Sequence, residues 1–273
     1  MDKLEKLSAI LSRYNSAVIA FSGGVDSTFL AKVASEVLQE NLLLVTATSF
    51  AFPFHELEEA KKLAKQMNIA HKVITSEEMN VPGYSNNPPD RCYYCKSEVF
   101  EKIKYVAEQE GYEAVFDGTN AGDIGDYRPG MKALKEKEIE SPLKEAGMTK
   151  EDIRYHSRQY GLPTADKPAE SCLASRFPYG EKIDAGKLDR VSRAELRIKF
   201  LGFTQFRVRS HDNLARLEFI PKEMDQAWEK RSEINNICKE AGYTYVTIDT
   251  KGYRSGAMNE TLNQKTSVEN KKD

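Results

Sequence analysis

Along the first half of the chain, short apolar runs alternate with segments whose apolar residues recur every three or four positions. The runs SAVIAF (Ser16 to Phe21), NLLLVTAT (Asn41 to Thr48), AHKVIT (Ala70 to Thr75) and AVFD (Ala114 to Asp117) have the length and residue types of strands. Between them, Leu30, Val33, Ala34, Val37 and Leu38 recur at helical spacing. So do Leu57, Ala60, Ala64 and Met67, and then Val99, Ile103 and Val106. Alternation of this kind predicts an α/β fold, a parallel sheet with helices on both faces.

Two stretches break the rhythm. Residues 80–92, NVPGYSNNPPDRC, hold three prolines, a glycine and three asparagines, and predict a surface loop with Cys92 at its end. PTADKPAESCLASRFPYG (Pro163 to Gly180) holds three more prolines, carries Cys172 and predicts a domain boundary, placed here between residues 165 and 166. Beyond it, Leu188, Val191, Ala194, Ile198 and Leu201 mark one helix face. Strands near Gln205 to Arg209 and Leu214 to Phe219, a helix over 221–241 and a strand in TYVTIDT complete a small C-terminal α+β domain, 166–262. The polar tail 263–273 is expected to be disordered.

Composition adds exclusions. The 273 residues are 40% hydrophobic and 30% charged, and every apolar run is strand-sized, well short of the roughly 20 residues that a membrane helix needs. The opening MDKLEKLSAI has neither the basic region nor the apolar core of a signal peptide, so a cytoplasmic location is expected, where structural disulfides are disfavoured. A formal net charge of −2 argues against a large nucleic-acid surface. The local cluster RVRSH (Arg207, Arg209, His211) suits a small phosphate better than a duplex.

The densest chemistry lies in AFSGGVDSTFL, Ala20 to Leu30. A strand ends at Phe21, the chain turns through Ser22, Gly23 and Gly24, and a helix starts near Ser27. The glycines allow a tight turn and close ligand approach, and the helix N-terminus offers amide donors to phosphate oxygens. Ser22 and Ser27 add hydroxyls. Asp26 is suited to holding Mg²⁺ or orienting the loop. The bland alternative is a glycine turn before a helix cap. The segment matches neither GxxxxGK[ST] nor GxGxxG, and it lacks the lysine that a P-loop sets on β- and γ-phosphates.

SGGVDS resembles the PP-loop of the ATP pyrophosphatases, which cut ATP between its α- and β-phosphates to form an adenylated intermediate. Five further segments, DGTNAGDIGDYRPG (Asp117 to Gly130), SPL (Ser141 to Leu143), SCLASRFPYG (Ser171 to Gly180), FRVRSHDNLARLE (Phe206 to Glu218) and GYRSGAMNETL (Gly252 to Leu262), extend the resemblance over nearly the whole chain. Together they resemble the LarE family. That resemblance implies a PP-loop, adenine-nucleotide-α-hydrolase-like domain over 1–165 and a substrate-binding, sulfur-transfer domain over 166–262. It implies ATP and Mg²⁺ as cofactors, a homo-oligomer, and conversion of pyridinium mononucleotide carboxylates to thiocarboxylates on the way to the nickel-pincer nucleotide.

The chemistry explains the use of ATP. A carboxylate is a poor acyl donor because its leaving group would be oxide. Attack on the α-phosphorus gives an acyl adenylate whose AMP leaves readily when sulfur attacks. By resemblance, Ser22, Gly23, Gly24, Asp26, Ser27 and Gly118 are expected at the nucleotide, and Glu195, Arg207 and Arg209 at the substrate phosphate. Forked guanidinium groups suit that task, and strand alternation puts both arginines on one face. Read alone, they are a solvated edge strand, DGTN is a turn, and Asp123 and Asp126 are ordinary loop acids.

RCYYCK places Cys92 and Cys95 two residues apart in a chain with four cysteines. Alone, the pair fits a disulfide, a zinc site, an iron-sulfur cluster or no role. A closed zinc site needs a fourth ligand from Cys238 or one of four histidines, and Cys238, at helical spacing with Ile234 and Ala241, reads as a core residue. In single-cysteine members of the family, the residue matching Cys172 gives up its own sulfur and becomes dehydroalanine. Here Cys172 lies beside Ser171 and near Arg176, a setting that favours a thiolate. The added CYYC departs from that pattern. Cys92, Cys95 and Cys172 then match the ligand set of a [4Fe-4S] cluster with one iron open to hold a transferable sulfide, replenished by an external sulfide source. Two rival functions share parts of this set. A tRNA thiolase would show a basic surplus and extra zinc-binding cysteines, and an iron-sulfur carrier or nucleotide sensor would not turn ATP over with substrate.

Overall fold

The computed structural model describes residues 2–123 and 129–260. The tail 263–273, Asp126 and the last two residues of the Gly252–Leu262 motif lie outside the described residues. Two compact units are present. One comprises Pro89–Glu170 and the chain up to Ser85, and the other comprises Asn86–Pro88 and the chain from Ser171 onward. The division falls between Glu170 and Ser171, inside the proline-rich stretch and past residue 165.

The first unit contains, in order, α1 (Lys3–Leu11), β1 (Ala17–Ala20), α2 (Val25–Leu38), β2 (Leu42–Thr48), α3 (Phe54–Gln66), β3 (Ala70–Thr75), α4 (Arg91–Glu110), β4 (Ala114–Phe116), α5 (Gly130–Glu136), α6 (Pro142–Glu145) and α7 (Lys150–Gln159). Its four strands are parallel, in the order β3-β2-β1-β4. Strand alternation builds two cores. Ala17, Ile19, Leu42, Leu44 and Phe116 point to one face and pack with Leu7 of α1, Phe29 of α2 and Ile153 of α7. Val18, Leu43, Val45 and Val115 point to the other and pack with Phe100 and Ile103 of α4 and Leu134 of α5. Each such large side chain contributes roughly 1.5–3 kcal/mol on burial. The helices on both faces follow from these apolar strands.

The strand order positions the site. From β1 the chain builds outward through β2 and β3, and then returns to place β4 on the other side of β1. Loops leaving the carboxyl ends of β1 and β4 therefore diverge, and open α/β sheets bind ligands in the crevice at such a reversal.

Two local expectations are corrected. Residues 80–92 do not form a surface loop throughout, because Tyr84, Asn87 and Arg91 are buried. Nor does Cys92 end a loop. Helix α4 starts at Arg91, directly after Pro88, Pro89 and Asp90, so Cys92 and Cys95 occupy its first turns. The polar residues 80–90 hide this start, since the apolar helical pattern begins only at Val99. The short or polar helices α1, α5, α6 and α7 also escape the periodicity. Helix α7 buries only Ile153 and Ser157 and is secured by a Thr149–Asp152 capping box.

The second unit contains α8 (Ala185–Lys199), β5 (Phe206–His211), β6 (Leu214–Phe219), α9 (Met224–Glu229), α10 (Arg231–Ala241) and β7 (Tyr245–Ile248). Its sheet has the order β5-β6-β7, antiparallel between β5 and β6 and parallel between β6 and β7. Asp184 caps α8 by accepting from the Lys187 amide at 2.8 Å. The helix expected over 221–241 is two helices, broken at Lys230.

Gly252 has φ +68°, and a Cβ there would meet the Phe219 carbonyl oxygen at 2.5 Å. Gly252→Ala is expected to cost about 2–3 kcal/mol from left-handed strain and the displaced backbone. Thermal unfolding should show a lower Tm; an unchanged Tm would refute this role. Among the described residues, no helix is long and apolar enough to cross a membrane.

Candidate functional site

The turn after β1 takes the shape its sequence requires. Gly23 has φ +69°, and a Cβ on it would sit 3.1 Å from both Cα and Cβ of Ala60 on α3. A glycine is needed there both for the left-handed backbone and for the close approach of α3. Gly24 occupies the N-cap of α2 and has no side chain to satisfy the first-turn amides, so these remain for a ligand. Ser22 is exposed and Ser27 is buried, with their hydroxyl oxygens 3.1 Å apart.

Gly118, at the end of β4, closes the other side of the crevice. A Cβ on it would lie 3.2 Å from the Ser27 amide nitrogen and 3.4 Å from the Asp26 Cβ. The strand end beside it is held by Asp117, whose Oδ1 accepts from Ser141 Oγ at 2.6 Å and whose Oδ2 accepts from Thr119 Oγ1. The DGTN and SPL segments thus meet as one brace beside Asp26 and Ser27.

Sequence reasoning missed the cations of this loop. Lys150 Nζ, at the start of α7, donates to Asp26 Oδ2. Lys167 Nζ donates to the Gly23 carbonyl at 3.3 Å and to Glu56 and Glu59 at 2.7 Å each. Two ammonium groups, 124 and 144 residues downstream of their partners in the turn, thus pair with Asp26 and the Gly23 carbonyl. Burial alone would lower the Lys167 ammonium, but Glu56 and Glu59 hold it above its ordinary value. Burial raises the Asp26 carboxyl, opposed by the hydrogen bond and charge of Lys150. Asp26 Oδ1 is buried with no hydrogen-bond partner among the described residues. Such an orphaned carboxylate oxygen fits a Mg²⁺ ligand beside phosphates.

In the second unit, a single 3₁₀ turn, Leu173–Arg176, follows Cys172. Arg176 is 1% exposed and organises that turn. Its Nη1 donates to the Ser171 carbonyl at 3.0 Å, Ser171 Oγ at 2.8 Å, Ser175 Oγ at 2.9 Å and the Cys172 carbonyl at 3.4 Å. Its Nε and Nη2 form a fork on the two carboxylate oxygens of Glu195, at 2.8 and 2.9 Å. Glu195 also accepts from the Val208 amide at 2.8 Å. Burial alone would raise the Glu195 carboxyl, but the charge and hydrogen bonds of Arg176, the Val208 amide and Arg207 hold it below its ordinary value.

Arg207 and Arg209 share one face of β5 and are both buried. Arg209 donates to Glu218 Oε2 at 2.9 Å and to the Ser175 carbonyl at 2.9 Å. Arg207 lies over the Tyr253 ring, 5.1 Å from its centroid. Cys172, Glu195 and Arg209 are thus linked through Arg176 and Ser175, while Glu195 spends both oxygens on Arg176. The Gly252–Leu262 motif gains a structural part: Tyr253 faces Arg207, and Asn259 Oδ1 accepts from Tyr179 Oη at 3.1 Å.

Cys92 and Cys95 belong to the first unit and Cys172 to the second. Cys92 and Cys172 are exposed and Cys95 is half-buried. Positions three apart on a helix share a face, so the pair is a two-thiol unit at the N-terminal end of α4. Cys238 is fully buried on α10, and burial pushes its thiol up to about 12. Its burial among the apolar side chains of α10 fits a core residue. A thiol reagent added to reduced, metal-free protein should modify Cys92, Cys95 and Cys172 before unfolding and Cys238 only after it. Native-state labelling of Cys238, read by peptide mass mapping, would contradict this.

Comparison with known proteins adds the following. A family model described as NAD synthase matches residues 5–85. An uncharacterized protein of Synechocystis sp. is 45% identical over 262 residues, 95% of this chain and 98% of its own. The pyridinium-3,5-bisthiocarboxylic acid mononucleotide synthase of Lactiplantibacillus plantarum is 35% identical over 261 residues, 95% of each chain. An uncharacterized protein of Methanocaldococcus jannaschii is 32% identical over 238 residues, 87% of this chain and 90% of its own.

Proposed function

Because the chain belongs to the LarE family of pyridinium-3,5-bisthiocarboxylic acid mononucleotide synthases, we propose that it is an ATP-dependent sulfur transferase. Its substrate is a pyridinium dicarboxylate mononucleotide, and its product is the corresponding thiocarboxylate on the route to the nickel-pincer nucleotide. The observation that carries this reading is the 35% identity over 95% of both chains, and the uncapped glycine loop at the reversal of the strand order supports it.

The roles of the residues follow from their chemistry. The amides of Gly24 and the first turn of α2, with Ser22 and Ser27, bind the phosphates of ATP, and Gly118 lets the nucleotide approach α2. Asp26 Oδ1 would hold Mg²⁺, which would supply charge neutralisation for the departing pyrophosphate. A substrate carboxylate oxygen attacks the α-phosphorus, and the P–O bond to pyrophosphate breaks. Arg207 and Arg209 hold the substrate phosphate, and Glu195 fixes Arg176 and with it the Cys172 turn.

Sulfur delivery has two forms. In one, the Cys172 thiolate attacks the acyl carbon, AMP leaves, and cleavage of the Cys172 Cβ–Sγ bond yields the thiocarboxylate and dehydroalanine. In the other, Cys92, Cys95 and Cys172 hold a [4Fe-4S] cluster, which supplies a replaceable sulfide. The cluster form is favoured by the two thiols one helical turn apart on α4. Anaerobically reconstituted protein with ATP, Mg²⁺ and the dicarboxylate mononucleotide should release AMP with thiocarboxylate. Release of ADP would overturn the adenylation step. A preparation that stays colourless after iron and sulfide reconstitution, and whose Cys172 loses the mass of H₂S with product, would assign the sacrificial form.

A further inference from the structure

A second group of ligand-type side chains lies beside the phosphate loop and has no part in the reaction above. His55 and Glu56 stand in the first turn of α3, and Glu170 ends the first unit. One donor atom from each lies within 4.8 Å of the others. Donors around an ion at about 2.0–2.2 Å stand roughly 3–4 Å apart, so a small side-chain movement closes the set; Glu170 is exposed.

One observation points to a cation rather than to a chance cluster of acids. Glu56 is 5% exposed, and its Oε1 is buried without a hydrogen bond among the described residues, 3.5 Å from His55 Nε2. Its Oε2 is already engaged by Lys167 Nζ at 2.7 Å. A buried carboxylate with one oxygen satisfied and the other bare is incomplete.

We propose that His55, Glu56 and Glu170 form a binding site for a divalent transition-metal ion, separate from the Mg²⁺ that accompanies ATP at Asp26. An imidazole nitrogen with carboxylate oxygens suits Mn²⁺, Fe²⁺ or Zn²⁺, whereas Mg²⁺ and Ca²⁺ favour all-oxygen sets. The ion binds Glu56 through Oε1 and leaves Oε2 on Lys167. Lys167 in turn donates to the Gly23 carbonyl, so the ion steadies the back of the phosphate loop without touching nucleotide.

The test uses full-length, chelator-treated protein and Mn²⁺ without nucleotide, with bound ion read by electron paramagnetic resonance. A bound Mn²⁺ with nitrogen-14 modulation from His55 is expected. His55→Ala should abolish the modulation and weaken binding roughly tenfold or more. Glu170→Gln should weaken binding to a similar degree, and neither substitution removes the Lys167 pairs with Glu56 and Glu59, should Glu56→Gln fail to fold. Asp26→Asn and Cys92→Ala should leave the nitrogen-coupled signal unchanged. Absence of bound Mn²⁺, binding without nitrogen modulation, or a signal lost in Asp26→Asn but kept in His55→Ala would overturn the proposal.

Discussion

Cys172→Ala is expected to reduce thiocarboxylate formation by on the order of 10³-fold or more, as loss of a reacting nucleophile does, while ATP-dependent adenylation persists. The separation is expected because the substitution removes only Sγ. The turn around it is held through backbone and neighbouring side chains: Ser175 donates to the Cys172 carbonyl at 2.8 Å, and Arg176 bonds Ser171, Ser175 and Glu195. None of these contacts needs the thiol. Substrate-dependent exchange of labelled pyrophosphate into ATP measures the first step, and product mass measures the second. Wild-type levels of thiocarboxylate from the variant would remove Cys172 from the chemistry. Cys92→Ala then separates the two forms of sulfur delivery. It should abolish repeated turnover if the cluster delivers sulfide, and leave a single turnover per chain untouched if Cys172 is consumed.

Asp26→Asn should lower AMP formation by roughly 10²–10³-fold at saturating substrate, because under the proposed function it removes a carboxylate ligand to Mg²⁺. The pH profile carries the sharper signature. Burial raises the folded-state carboxyl of Asp26, and Lys150 pulls it back down. Metal binding needs the anion, so kcat/KM for MgATP should fall as pH drops through a value above the ordinary carboxylate range. Lys150→Met removes the opposing charge and should move that acid limb to higher pH. Asp26→Asn should flatten it. A limb that stays in place in both variants would detach Asp26 from the metal step.

Much of this was legible in the chain because it is local. A strand, two glycines and a helix in direct succession define the turn between β1 and α2, and Ala17, Ile19, Leu42 and Leu44 on one sheet face repeat what alternation predicts. Contacts remote in sequence were not legible. Lys150 and Lys167 reach the loop from 124 and 144 residues away, and nothing near either lysine in sequence announces the partner. Glu195 was expected at a phosphate because of its company, yet both its oxygens serve Arg176. Arg176 itself was noticed only for its nearness to Cys172. The start of α4 was hidden by the polar, proline-rich residues ahead of it, which changes the setting of Cys92 and Cys95 from a loop to one helical face.

The central step of the proposed reaction is activation of the carboxylate by AMP before sulfur arrives. The direct measurement is the fate of oxygen-18 placed in the substrate carboxylates during an anaerobic reaction with ATP and Mg²⁺. Attack on the α-phosphorus followed by sulfur attack at carbon sends a carboxylate oxygen into AMP, so labelled AMP should appear in step with thiocarboxylate. AMP free of label, or label released in phosphate with ADP as the nucleotide product, would contradict adenylation as the route to sulfur transfer.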